Sequence, residues 1–142
     1  MTPKQLSLFD QPTLGGVVRD VKTAMNEAVK KSALSREQVR DKMNQLSRRH
    51  RVNLNGGNAK ELSKDVFEKW LNVEDEVRIP SIKALTIFCA ALSSQEPLAA
   101  MVKPLGFMVI ADNDIKLLEL AKYQQKVKAA RRKIRQLEDE LG

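Results

Sequence analysis

Apolar residues recur at helical spacing over most of the chain. Between Asn58 and Ser93, Leu62, Val66 and Trp70 repeat every four residues with Phe67 beside them, and Ile82, Leu85, Cys89 and Leu92 repeat the stripe. This spacing predicts two amphipathic helices joined by a turn, each with one face to bury. Asn58 with Glu61 three residues later suits a capping box, and Pro80 stands where a new helix can start without losing a needed N–H. Upstream, Val17, Val21, Met25 and Ala28, flanked by Val18 and Val29, form one face of a helix over 17–31, while Arg19, Asp20, Lys22 and Glu27 lie elsewhere. Ser35 makes a capping box with Gln38, and Leu34 can staple onto Val39. A second helix therefore starts at Arg36 and buries Val39, Met43 and Leu46.

Beyond Ser93 the pattern changes. A brief apolar segment at 98–102 leads to Pro104-Leu105-Gly106, and the run Phe107 to Ile110 predicts the one short strand. A lone strand needs a partner for its backbone groups, either 51–54 or the same strand of a second subunit, with Phe107 and Val109 then at the interface. Asp112 is placed to cap a last helix reaching Leu141, about 29 residues and roughly 43 Å long. Within it Leu120, Val127, Ile134 and Leu141 fall seven apart, with Tyr123, Ala130 and Leu137 at the interleaving spacing. Such a seam predicts a coiled-coil homodimer through Leu120, Val127, Ile134 and Leu137, with Lys133 facing Glu138 of the partner, unless the helix folds back on its own domain. The expected fold is mainly α: four to five helices, one short strand and a long C-terminal coiled-coil-like helix. Its expected organisation is a mobile N-terminal arm at 1–16, a helical domain at 17–103, and a strand plus C-terminal helix for dimerisation at 104–142.

Charge adds a direction to this outline. The 142 residues carry a net charge of +7 with a pI near 9.7, which favours an anionic partner such as duplex DNA. That charge is localised. Residues 17–60 hold eleven basic against four acidic side chains, residues 122–135 hold seven bases and no acid, and the remainder is net acidic. A single cysteine excludes an intramolecular disulfide framework, and without a signal-peptide core or an 18-residue apolar run the expectation is a cytoplasmic protein with no membrane contact.

The order ELSKDVFEKW, a connector, then RIPSIKALTIFCAAL resembles the second half of the lambda-repressor-like helix-turn-helix family of phage and bacterial regulators. The resemblance covers about half the chain and implies that 17–103 is a helix-turn-helix DNA-binding domain with a lengthened turn, in a transcriptional regulator that binds duplex DNA as a dimer. It maps Ser63, Lys64 and Asp65 onto positions that face the major groove, with Lys69 farther along the same helix. Lysine can reach guanine and aspartate can accept from cytosine, so base readout is chemically open. Two departures stand out. The segment SRRHRVNLNGG replaces a turn of three or four residues, and Val73-Glu74-Asp75-Glu76-Val77 replaces the usual glycine turn. The first of these is expected to form a wing or hairpin carrying Arg48, Arg49 and Arg51 to phosphates, or else a charge run ending helix two. Arg36 and Arg40 add cations on more exposed faces of helix two.

The arm contains Gln5-Leu6-Ser7-Leu8-Phe9, which resembles the motif by which bacterial replication and repair proteins hold the DNA sliding clamp. Leu6, Leu8 and Phe9 would anchor in an apolar pocket and the Gln5 amide would orient them, making a clamp-tethered adaptor the alternative function. The opposing possibility is an arm packed on its own domain. No catalytic set, metal site or cofactor is expected. The acidic run 74–76 lacks EF-hand spacing, Cys89 falls on a core stripe, and no phosphate-binding glycine motif occurs.

Overall fold

The computed structural model describes residues 13–55 and 61–142. Among these residues the chain is mainly α-helical, with six α-helices and no strand, and it divides into two compact units after Val109.

The first unit holds five α-helices. Leu14–Gly16, expected to belong to the arm, form a 3-10 turn capped by the Thr13 hydroxyl and lead directly into α1, Val17–Ser32. Helix α2, Arg36–His50, opens on the Ser35–Gln38 capping box in both directions, with the Ser35 hydroxyl accepting from Gln38 N and the Gln38 side chain accepting from Ser35 N. Helix α3, Lys64–Leu71, is capped by Ser63, and α4, Ile82–Leu92, by Ser81. The apolar segment after Ser93 is α5, Glu96–Val102, with Pro97 in its first turn. Helix α1 packs against α3, α4 and α5, and α2 packs against α3 and α4. Met25, Val39, Met43, Ala84 and Phe88 are wholly enclosed at the junction, and Phe67 meets Phe88 with ring centroids 6.5 Å apart.

Several expected boundaries move. Helix α3 starts at Lys64 rather than at Asn58, which lies outside the described residues, because Ser63 supplies the cap. Leu62 is still buried, but it precedes the helix: Asn44 of α2 donates to its carbonyl at 3.3 Å and accepts from its N–H at 2.8 Å. Ile82 is exposed rather than part of the α4 stripe, and Ala84, Ile87 and Phe88 fill the core instead. Phe107 to Ile110 form no strand, and pairing with 51–54 does not occur. Instead a 3-10 turn, Lys103–Leu105, continues from α5 into Gly106 at φ 80°, and Phe107 N donates to the Val102 carbonyl. That turn ends α5, and among the described residues the chain holds no strand for the following residues to pair with.

The largest departure is Lys22. Its position on α1 reads as polar surface, yet the side chain is fully buried. Its ammonium donates to the carbonyls of Lys69 at 3.0 Å, Asn72 at 3.1 Å, Arg78 at 2.8 Å, and Asp75. Neighbouring Asn26 donates to the Leu71 carbonyl at 2.8 Å. Helix α1 thus binds the carbonyl-rich end of α3 and the whole connector to α4. Burial pushes the Lys22 ammonium below the ordinary lysine range, while the carboxylates of Asp75 and Glu76 pull it upward. Asp75 also closes the connector, accepting from the N–H groups of Val77 and Arg78 and from the Arg78 guanidinium.

The second unit contains α6, Asp112–Leu141. Asp112 is its first residue rather than its cap; Ala111 occupies the capping position without a side-chain hydrogen bond. No residue of α6 is buried.

Replacing Lys22 by Met should cost about 3 kcal/mol, since several enclosed carbonyls lose their donor together. Arg19→Met, which breaks only the exposed pair with Glu74, should cost less than about 1 kcal/mol. Urea unfolding of both variants distinguishes these outcomes. The Asp75 carboxyl is held below its ordinary range, first by the Arg78 N–H. Its contribution to stability is therefore complete above the ordinary aspartate pKa and is lost as pH falls through the depressed value. Thermal unfolding against pH should show that acid limb flattened in Asp75→Asn.

Candidate nucleic-acid interface

The basic residues after Leu46 do not form a loop. Arg48, Arg49 and His50 make the last turn of α2, and Arg51 closes the helix with φ 55°, its N–H donating to the Ser47 carbonyl. The Ser47 hydroxyl then donates to the Val52 carbonyl and Leu54 is buried, so the chain turns inward immediately. The expected wing is absent from this part of the connector. A continued helix satisfies the backbone, and cations in its last turn oppose the negative end of the helix dipole.

The expected DNA-binding cations separate into tied and untied groups. Arg36 pairs with Glu68 of α3 and also donates to Asn26 of α1 at 3.2 Å. Arg48 pairs with Glu61. Arg40, Arg49, Arg51, Lys64 and Lys69 have no ion pair among the described residues. Arg36, Arg40 and Lys64 come together around a recess of about 200 Å³ between α2 and α3, with Glu37, Phe67 and Glu68 completing its wall. Lys69 instead lines an open groove of about 820 Å³ between α1 and α3, where Arg36 and Glu68 also contribute. Arg36 is common to both depressions. Arg49 and Arg51 lie at the opposite end of α2.

Ser63 is exposed, but its oxygen caps α3 by accepting from Val66 N at 3.3 Å. Lys64 and Asp65 follow as the first two helical residues and are exposed. The helix therefore projects little before its own cap, and its outer face alternates cations with Asp65 and Glu68.

A different strip on α2 is better furnished. Gln38, Lys42, Gln45 and Arg49 are all exposed and recur at steps of four, three and four, with exposed Asp41 on their flank. Lys42 reaches the Ala91 carbonyl of α4 at 3.5 Å. Gln and Arg are side chains able to make paired hydrogen bonds to adenine and guanine edges, and Lys and Arg also meet phosphates. The signal was present in the sequence as helical spacing of donor side chains, but a search for apolar stripes and dense charge passes over it.

The clamp-binding candidates Gln5, Leu6, Leu8 and Phe9 lie outside the described residues, as do Gly56 and Gly57 of the expected polar turn. Among the described residues, no three His, Cys, Asp or Glu side chains are grouped to hold a metal ion. Cys89 is in the core, where burial pushes its thiol upward, and among the described residues no helix is long and apolar enough to cross a membrane. Comparison with protein-family models, curated proteins and solved structures finds no match to the chain.

Proposed function

We propose that this chain is a DNA-binding transcriptional regulator of phage type that engages duplex DNA as a homodimer. The observation that supports this reading most directly is the exposed strip Gln38, Lys42, Gln45 and Arg49 along α2. Arg40 and Lys64, which have no ion pair among the described residues, lie off this strip on the side of α2 that faces α3, while Arg36 and Arg48 occupy the carboxylates of Glu68 and Glu61. Two kinds of contact follow from these residue types. Arg40, Arg49, Arg51 and Lys64 supply phosphate attraction, and Gln45 with Arg49 supplies base-edge contacts. Helix α3 then serves mainly to hold the recess, with Lys69 as an outlying phosphate contact. The α6 seam joins two copies so that paired half-sites are read together.

Selection from random duplexes should return a preferred two-fold site, and absence of any preferred site removes the regulator reading. Replacing Arg40 or Arg49 by Ala should lower the magnitude of the slope of log affinity against log salt by about one each. Slopes unchanged in both variants would remove α2 from the interface.

A second reading rests on Gln5-Leu6-Ser7-Leu8-Phe9: the chain is an adaptor held on the bacterial sliding clamp by that segment. Surface plasmon resonance on immobilised clamp should detect wild type but lose the signal in Leu8→Ala plus Phe9→Ala. Equal responses from the two proteins exclude clamp binding through the motif.

A further inference from the structure

The long helix α6 leaves an apolar seam uncovered. Leu120, Val127 and Ile134 occupy a positions, and Tyr123, Ala130 and Leu137 occupy d positions; each of these residues is exposed. Val127 and Ile134 are β-branched at a, and Leu137 lies at d, the combination that favours two parallel strands. In that register Lys133 at g meets Glu138 at e of the second copy. A second copy of this helix is therefore the occupant that the seam's geometry and this charged pair favour.

One layer earlier the electrostatics reverse. Lys126 at g meets Arg131 at e of the second copy, and two-fold symmetry repeats the clash on the other side. The problem extends around the helix, because Lys122, Lys128, Arg132 and Arg135 fill outer positions of the same segment. None of the seven bases in 122–135 makes an ion pair among the described residues. Lys126 instead lies over the Tyr123 ring, 5.3 Å from its centroid, bringing the charge onto the edge of the seam. Pairing two helices concentrates both sets of seven cations within about 20 Å of helix length.

We infer that α6 is an anion-coupled zipper: a phosphate polyanion binds the basic waist formed by two paired copies and, by screening Lys126 from Arg131 of the other copy, tightens their association. This inference rests on the dimer reading above but not on base recognition by α2. The coupling is reciprocal, so dimerisation also creates the stronger polyanion site. Its ligand chemistry is a chain of closely spaced phosphates, supplied either by a duplex backbone or by inorganic polyphosphate. Simple salt acts in the same direction by screening repulsion.

Sedimentation equilibrium of the full chain tests this at low salt, at high salt, and at low salt with short inorganic polyphosphate or a short duplex. The wild-type dimer should tighten several-fold with added salt and with at least one polyanion. If only the duplex tightens it, and Lys126→Glu removes that response, the duplex backbone at α6 is the source; if the response survives Lys126→Glu, it belongs to α2 and the inference is overturned; if polyphosphate tightens the dimer as well, the site reads phosphate spacing alone. Lys126→Glu converts both repulsive pairs into attractive ones, so its dimer should be about tenfold tighter at low salt and lose the response to polyanion. The double variant Lys126→Glu plus Arg131→Glu restores like charges and should return the dissociation constant towards wild type, which a change in helix propensity alone would not do. The inference is overturned if wild-type association weakens with salt, if neither polyanion tightens it, or if Lys126→Glu leaves it unchanged. A normal DNA-site selection beside any of those outcomes would leave the regulator reading intact; a failed selection beside the expected Lys126→Glu effect would remove that reading alone.

Discussion

The ammonium of Lys22 is the point on which the first unit depends. An α-helix C-terminus leaves carbonyls without intrahelical donors, and an irregular connector leaves more. Here Lys69, Asn72, Asp75 and Arg78 all present carbonyls to one buried cation. A lysine has three donors, so sharing them among four acceptors still leaves none facing an empty interior. The interaction also sets geometry. By holding both the end of α3 and the run up to Pro80, it fixes where α4 begins and where the α3 face stands against α1.

That constraint was hidden because it contradicts the ordinary meaning of the residue. Lysine between apolar positions on an amphipathic helix signals solvent, and nothing local announces four carbonyls arriving from forty-seven to fifty-six residues away. The features that were legible depend on near neighbours. The Ser35–Gln38 box, the core stripe of α1, burial of Cys89 and the extent of α6 all follow from spacing within a few turns. The Asn58 cap misplaced the start of α3 because Ser63, five residues later, offers the same chemistry next to Val66 and Phe67, which bury together. The segment Phe107 to Ile110 has strand-like composition, but composition does not provide a partner strand, and none is present within the chain among the described residues.

The candidate interface shows the same division between local and non-local information. Total charge and its clustering were visible, whereas the neutralising partners were not. Arg36 and Arg48 look equivalent to Arg40 and Arg49 in the sequence, yet the first two face Glu68 and Glu61 across the fold. Ion pairing thus sorts a dense basic segment into residues tied to α3 or to the connector before it and residues with no ion pair among the described residues. The strip along α2 emerged from exposure together with helical spacing, neither of which is apparent from counting charges.

The attachment of Leu62 to Asn44 has a consequence for chain length. Asn55 donates to the Glu61 carbonyl at 2.6 Å, and Asn44 engages both backbone groups of Leu62. These bonds close the neck of the segment between Asn55 and Glu61 independently of what lies within it. The cost of enlarging a closed loop grows only logarithmically, at about 0.6 kcal/mol for each doubling of length. The closure between α2 and α3 therefore carries an entropic cost that depends only weakly on the number of residues it spans, and the amide bonds of Asn44 and Asn55 offset that cost at its two described ends.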